Sequence, residues 1–97
     1  MSLKAQLTDD MKNAMRAKES ERLATIRLIL AEIKRKEVDE RIELDDTQVT
    51  AVVEKMIKQR KDSITQFEAG GRQDLADIEK KELTVLAAYM QIGRAHV

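Results

Sequence analysis

Residues 44–72 read LDDTQVTAVVEKMIKQRKDSITQFEAGGR and predict one amphipathic helix with a marked start and a marked end. Asp45 is the predicted N-cap, with Gln48 at the capping-box position three residues later. Gly70-Gly71 predicts the end, because glycine accepts the left-handed backbone of a helix C-cap without strain. The apolar residues recur at the helical period and lie on one stripe: Val49, Val52, Val53, Met56, Ile64 and Phe67.

The composition predicts an all-α protein. The chain has 97 residues, of which 42% are hydrophobic and 37% charged, with no proline, no cysteine and only two aromatic residues, Phe67 and Tyr89. Strands would require more β-branched and aromatic residues. Because 18 basic residues balance 18 acidic ones, no global field draws the protein to nucleic acid or membranes. The lack of cysteine excludes disulfides and thiol chemistry.

Three further helices are predicted around the central one. The first runs from its N-cap Ser2 to about Arg16, and Ser20 is expected to cap a second that reaches about Glu40. Residues 39–44 form the predicted connection to the third helix, and the fourth begins within residues 72–75. Since short loops favour antiparallel neighbours, we expect a four-helix domain built from two antiparallel helical hairpins.

The apolar stripes predict which side chains are buried. The second helix carries additional apolar residues, Leu28 and Ile29, so we expect it to be the most buried of the four. The fourth helix is expected to turn five residues inward: Leu75, Ile78, Val85, Leu86 and Tyr89.

Polar residues on these stripes predict an internal charged layer. Counting outward from the turns of the hairpins places Arg60 level with Glu82, and Arg27 beside Arg60. Asp10 comes level with Arg27 by the same counting. Because a lone buried charge is costly, burial requires balance, which two cations and two carboxylates supply. We therefore predict one layer of Asp10, Arg27, Arg60 and Glu82, which fixes the register between the hairpins; the alternative is that an open layer receives a phosphate or carboxylate.

No catalytic constellation is visible in the sequence. The single histidine, His96, lies in an irregular C-terminal run, so acid–base and triad chemistry have no candidate. Glu79 and Glu82 share a helix face but lack metal-ligand companions, and such pairs on a charged helix are far more often structural. We expect no catalytic residue, no metal site and no cofactor.

Two segments carry a resemblance to a known family. They are RLATIRLILAEIK, residues 22–34, and KQRKDSITQFEAGGRQDLADIEKKELTVLAAYM, residues 58–90. The segment E-x-G-G-R-x-D-L, the following E-x-x-E-L and the Tyr89-Met90 ending occur in order. The chain from Met1 to Met90 thereby resembles the YqeY family, the small-protein branch of the GatB/YqeY domain group. At Gln91 it departs from the family pattern, which continues with proline and a second, smaller helical domain.

The resemblance implies a helical module similar to part of the tail of the glutamyl/aspartyl-tRNA amidotransferase B subunit. In that enzyme the tail helps to hold tRNA while the chemistry occurs in another domain, so the family's association with glutamine-dependent carbon–nitrogen ligases does not transfer catalysis. We expect a non-catalytic, tRNA-related accessory module whose partner is tRNA or a translation-related protein. The alternatives are a helical protein-interaction domain without RNA contact and, ranked lowest, a glutamine-dependent amidase component.

Clustered basic residues are the candidate contacts with tRNA phosphates: Lys34, Arg35, Lys36, Lys55, Lys58 and Lys61. The simpler interpretation is a solvated face, because glutamates lie among them at helical pairing distance. Neutral net charge and scarce aromatics argue against base stacking and strong RNA affinity. Any RNA binding should therefore be weak, made through phosphates and steeply dependent on salt.

The two ends of the chain give predictions about the cellular location of the protein and about the bounds of its domain. No apolar run reaches membrane-spanning length, and the N-terminus lacks the apolar core of a secretory signal, so we expect a cytoplasmic protein without membrane contact. Residues 1–90 form the predicted domain. Residues 91–97 are predicted to be a non-native tail, since they have no helical period and read like a translated sequencing adapter.

Overall fold

Four helices joined by short turns make up the described part of the chain. The computed structural model describes residues 2–94, with side chains for residues 2–91, and contains α1 (Leu3–Arg16), α2 (Ser20–Glu40), α3 (Asp46–Ala69) and α4 (Gln73–Arg94). No strand occurs within residues 2–94. The most extensive packing joins α3 to α4 and α1 to α2, while α2 contacts both helices of the second hairpin. The predicted all-α, four-helix fold is confirmed.

The helix ends follow local side-chain chemistry. Asp45 forms the predicted capping box, in which its Oδ1 accepts from the Gln48 amide at 2.8 Å and Gln48 Oε1 accepts from the Asp45 amide at 3.1 Å. Ser2 caps α1 by accepting a 3.1 Å hydrogen bond from the Ala5 amide. At the turn after α3, Gly71 has a φ of 73°, so the left-handed residue is the second glycine of the pair.

The predicted cap at the start of α2 is wrong, whereas its predicted end at about Glu40 is confirmed. Ser20 is the first helical residue, and Glu19 occupies the N-cap position without a side-chain hydrogen bond. The turn before it closes the C-terminus of α1, since Lys18 has a left-handed φ of 58° and the Glu19 amide donates to the Ala14 carbonyl at 3.0 Å. At the other end the helix continues through Glu40 and stops at Arg41, whose φ of 53° is left-handed, so the connection spans residues 41–45.

The core lies where all four helices meet. Its most deeply buried large side chains are Leu3, Leu7, Ile26, Ile29, Leu86, Val49 and Val53. Leu28 and Ile78, predicted to be buried, are 41% and 55% exposed. The second helix is not the most buried of the four, since α3 buries more residues than α2. Leu28 is one residue, about 100° of helix, away from the inward Ile29 stripe, and Ile78 faces an open groove. No helix within residues 2–94 is long and apolar enough to cross a membrane.

The start of α1, the end of α2 and the start of α3 meet at one end of the bundle. The Leu3 amide donates to Asp46 Oδ1 at 2.8 Å, which satisfies one of the unpaired N–H groups of α1. Glu37 Oε2 accepts from Lys4 Nζ at 2.6 Å and from the Leu44 amide at 2.8 Å. The hydrogen bond from Lys4, followed by that from Leu44, lowers the pKa of Glu37.

Candidate functional site

The six basic residues predicted to contact phosphates are all exposed, but they do not form one patch. A groove between α2 and α3, with a volume of about 520 Å³, is lined by Arg35, Lys36 and Lys55. Lys58 and Lys61 line a different groove, between α3 and α4. Lys34 lines neither groove. The candidate surface therefore extends around α3 rather than facing one direction.

Carboxylates neutralise the α2 side of this surface. Arg35 Nη2 lies 3.2 Å from Glu32 Oε2, and Lys36 Nζ lies 3.9 Å from Glu40 Oε2. These are exposed pairs within one helix, of the kind that contribute a few tenths of a kcal/mol, about 0.3–0.5. Asp39 also lines the α2/α3 groove, so its three basic and three acidic side chains balance.

The α3 side of the surface has no such neutralisation. Among the described side chains, no carboxylate oxygen lies within 4.0 Å of the ammonium groups of Lys55, Lys58 or Lys61, and the same holds for Lys34. Lys55, Lys58 and Lys61 recur every three residues along α3. They form a row of unpaired positive charge, which we call the α3 lysine row.

The predicted polar layer is wrong as one layer, because its four members separate into two clusters and one exposed residue. Arg60 and Glu82 lie together as predicted, with Arg60 Nε 2.8 Å from Glu82 Oε2. Asp10 lies in a second cluster, with Tyr89. Arg27 is exposed, and the one polar contact of its guanidinium among residues 2–91 is with Met15, whose sulfur lies 3.9 Å from Nη2. It is one residue past Ile26, about 100° of helix away from the buried stripe.

The Arg60 cluster contains a third member that the layer prediction missed. Glu79 Oε2 lies 3.1 Å from the same Arg60 Nε, so two carboxylates converge on one nitrogen. Their side chains are 18–25% exposed. Within the described part of the chain, Arg60 Nε, Glu79 Oε2 and Glu82 Oε2 are buried without a hydrogen bond of good geometry. The cluster thus holds a net charge of −1. Burial raises the pKa of Glu82, opposed by Arg60 and assisted by Glu79.

The second cluster joins α1, α2 and α4. Tyr89, which is 3% exposed, donates from its hydroxyl to Asp10 Oδ2 at 2.5 Å. Arg22 Nη2 lies 3.9 Å from the same oxygen, and the Gln6 amide group donates to Asp10 at 3.2 Å. Burial and the neighbouring Asp10 raise the pKa of Tyr89. Arg22, four residues before Ile26, occupies the α2 stripe that the prediction assigned to Arg27.

These clusters do not form a metal centre. Among the described residues, no group of three or more histidine, cysteine, aspartate or glutamate side chains is placed to hold a metal ion. A signal for Glu79 was present in the sequence, since it precedes Glu82 by three residues and shares its helix face. Arg22 and Tyr89 could have been found from their positions on the apolar stripes of α2 and α4.

Comparison with known proteins identifies relatives over nearly the whole chain. The curated relatives named altered inheritance of mitochondria protein 41, mitochondrial, include those of Kluyveromyces lactis, 43% identical over 86 residues, and Eremothecium gossypii, 41% identical over 87 residues. These matches cover 88% and 89% of this chain but 46% and 48% of the relatives. The chain therefore spans about half the length of the curated relatives it matches. A family model described as Yqey-like protein matches residues 4–94, and the chain belongs to the YqeY family.

Proposed function

We propose that this chain is a non-catalytic, tRNA-related accessory module that contacts tRNA phosphates through the α3 lysine row. The observation that carries the proposal is the absence of carboxylate partners around Lys55, Lys58 and Lys61 among the described side chains. An unpaired ammonium group can exchange its counterions for phosphates without first breaking an internal ion pair.

The α3 lysine row spans a short length of helix. With a rise of about 1.5 Å per residue, the first and last lysines are about 9 Å apart along the helix axis. The row is short and the net charge of the chain is zero, so the binding is weak and depends on salt. The only two aromatic residues are a buried Tyr89 and a half-buried Phe67, which leaves no exposed ring for base stacking.

The family relationship supports a role in holding tRNA rather than a catalysed reaction. The resemblance to the tail of the amidotransferase B subunit implies a module that holds tRNA while another domain performs the chemistry. The two charged clusters are consistent with a structural role, because each joins different helices. The proposal concerns the half of the relatives that this chain matches, and a longer protein has further surface to contribute.

The cytoplasmic location stays a prediction. The relatives from Kluyveromyces lactis and Eremothecium gossypii are named as mitochondrial proteins, so a mitochondrial location is the alternative for this chain. Both compartments contain tRNA, so the proposed contact does not depend on which one is correct.

Filter binding of the purified protein to total tRNA tests the proposal. We expect retention at low salt that falls steeply at moderate salt, with a log–log slope near the number of phosphates contacted. The triple variant Lys55→Gln, Lys58→Gln, Lys61→Gln should reduce that slope by about two to three. A matched control, Lys12→Gln with Lys80→Gln and Lys81→Gln, removes the same charge elsewhere and should bind nearly as the wild type. Equal losses in the two triple variants, or no retention at low salt, would refute the proposal.

A helical protein-interaction domain without RNA contact remains the second candidate function. Exposed apolar residues favour it, since Val38 is 66% exposed and Ile42 is 41% exposed near the end of α2. The same filter assay separates the two functions. Absence of tRNA retention, together with specific partners in a pull-down from native extract, would support the interaction domain.

A further inference from the structure

We propose that the outward side of α2 binds an acidic amphipathic helix of another protein. This surface, called the α2 outer face below, consists of Arg27, Ala31, Lys34, Val38 and Arg41. All five residues are exposed, and none belongs to the α3 lysine row. The proposal is therefore independent of tRNA binding.

The residues of the α2 outer face recur at the spacing of a helix–helix contact. Arg27, Lys34 and Arg41 are seven residues apart, and so are Ala31 and Val38. A step of seven residues returns to within about 20° of the same direction around the axis, so each set forms a row along the helix. The row of cations spans about 21 Å, ending at the C-cap residue Arg41. A second helix packed alongside α2 would meet rows with this period.

The α2 outer face carries positive charge that the protein itself leaves unpaired. Among the described side chains, no carboxylate oxygen lies within 4.0 Å of the cationic groups of Arg27, Lys34 or Arg41. The acidic residues of this stretch of α2 each lie about 100° or more around the axis from Val38: Glu32, Glu37, Asp39 and Glu40. Three of the four are paired with other cations, namely Arg35, Lys4 and Lys36. The complementary occupant therefore brings carboxylates of its own.

Apolar surface beside the cations favours a protein helix over a phosphate backbone or a membrane. Val38 is 66% exposed, and the neighbouring Leu28 and Ile42 are each 41% exposed. Phosphates would leave this surface in water, whereas aliphatic side chains of a helix would cover it. The small side chain of Ala31 lets a second helix approach closely, but it offers little to a bilayer, where amphipathic helices insert bulky apolar residues.

NMR titration with a designed acidic helix tests the proposal. The probe is a capped peptide of three Leu-Glu-Ala-Ala-Val-Glu-Ala repeats, and its matched control has glutamine in place of every glutamate. We expect amide shifts centred on residues 27–42, with the control peptide binding roughly fivefold more weakly at low salt. High salt should reduce this difference, because the charges are exposed. Equal affinities of the two peptides, or shifts centred outside α2, would overturn the proposal.

Charge variants locate the preference for the acidic peptide. The α2 triple variant, Arg27→Gln with Lys34→Gln and Arg41→Gln, should abolish it. The triple variant of the α3 lysine row removes the same number of charges from another helix and should keep it. An unchanged preference in the α2 triple variant would overturn the proposal.

Variants of exposed apolar residues test the second half of the contact. Val38→Ser should weaken the binding of both peptides, because it removes apolar surface from the α2 outer face. Ile78→Ser is the matched control, since Ile78 is 55% exposed on α4, and it should leave both affinities unchanged. Equal effects of the two substitutions would overturn the proposal.

The α2 triple variant also distinguishes the other possible occupants. Its retention of tRNA and its sedimentation coefficient should match those of the wild type, and neither protein should pellet with phosphatidylglycerol vesicles. Loss of tRNA retention in this variant would assign the face to phosphates. Dissociation of a dimer would assign it to a second copy of the chain, and loss of vesicle binding would assign it to a membrane. Each of these three results would overturn the proposal.

Discussion

The Tyr89 hydroxyl donates a 2.5 Å hydrogen bond to Asp10 Oδ2 and thereby ties the last turns of α4 to the middle of α1, 79 residues earlier in the chain. Both side chains are largely shielded, with Tyr89 3% exposed and the Asp10 side chain 14% exposed. A hydrogen bond to a charged acceptor in such a site is stronger than a neutral one.

Removal of the Tyr89 hydroxyl should destabilise the fold. Tyr89→Phe keeps the ring and strands part of the Asp10 carboxylate, so we expect a loss of about 1.5–2 kcal/mol in the free energy of unfolding by urea. Asp10→Asn and the double variant complete a cycle. A coupling energy near zero in that cycle would show that the hydrogen bond contributes nothing.

The ionisation of Tyr89 should couple to unfolding at alkaline pH. The pKa of Tyr89 is raised in the folded state, first by burial and then by Asp10. Its contribution to stability is therefore complete below its ordinary pKa of 10.0 and is lost as pH rises toward the folded pKa. Because the chain has one tyrosine and no tryptophan, ultraviolet absorbance reports this residue alone. As pH rises, we expect tyrosinate absorbance to appear together with the loss of helical circular dichroism. A tyrosine titration midpoint near pH 10 in protein that is still folded would contradict the burial of Tyr89.

Loss of Arg60 should be costly because it leaves two carboxylates without a cation. We expect Arg60→Met to lower the free energy of unfolding by about 3 kcal/mol. Adding Glu82→Leu should recover part of the loss, and adding Glu79→Leu as well should recover most of it, since no stranded charge remains. Strictly additive losses in urea unfolding would show that the three side chains do not act as a cluster.

The left-handed backbone of Gly71 should make it sensitive to substitution. A Cβ at Gly71 would meet nothing within 4 Å, so strain from its φ of 73° is the only penalty. We expect Gly71→Val to cost about 1–2 kcal/mol in thermal or urea unfolding. Gly70→Ala is the control: φ is −85° there and the new Cβ would lie 3.4 Å from the Gln66 carbonyl oxygen, so a smaller change is expected. A larger loss of stability in Gly70→Ala than in Gly71→Val would contradict the assignment of the left-handed conformation to Gly71.

Acid should weaken the end of the bundle where Glu37 lies. The pKa of Glu37 is lowered by the hydrogen bond from Lys4 and then by the Leu44 amide. Its contribution to stability is present above the ordinary carboxyl pKa of 4.5 and is lost as pH falls through the lower folded value. Glu37→Gln should therefore be less stable than the wild type at neutral pH, with the difference disappearing in acid, whereas Glu40→Gln should differ little at either pH.

The fold was predictable from the sequence because its signals are local. The capping box at Asp45, the cap at Ser2 and the left-handed glycine after α3 each depend on residues within a few positions. The burial predictions that failed depend on which helix covers which face. Ile78 lies on the apolar stripe of α4, but α2 does not cover it. The helical period of a sequence gives no information on the distance between two helices.

The candidate site was less predictable for the same reason. Counting residues outward from the Gly70-Gly71 turn paired Arg60 with Glu82 correctly, since that turn fixes the register of α3 against α4. The count around the turn between α1 and α2 failed: Arg22 rather than Arg27 approaches Asp10, because the rotation of α2 about its axis is set by packing against three neighbours. Tyr89 is a further partner of Asp10, and counting residues from the turns would not have identified it.

The hydrogen bond from the Leu3 amide to Asp46 has a consequence for how the protein opens. A helix N-terminus ordinarily frays, and its first amides exchange with solvent hydrogen quickly. Here the first amide of α1 is held by the first turn of α3, 43 residues away. Its exchange therefore requires the start of α1 to detach from α3, so this terminal amide reports the loss of a tertiary contact that most chain ends cannot reveal.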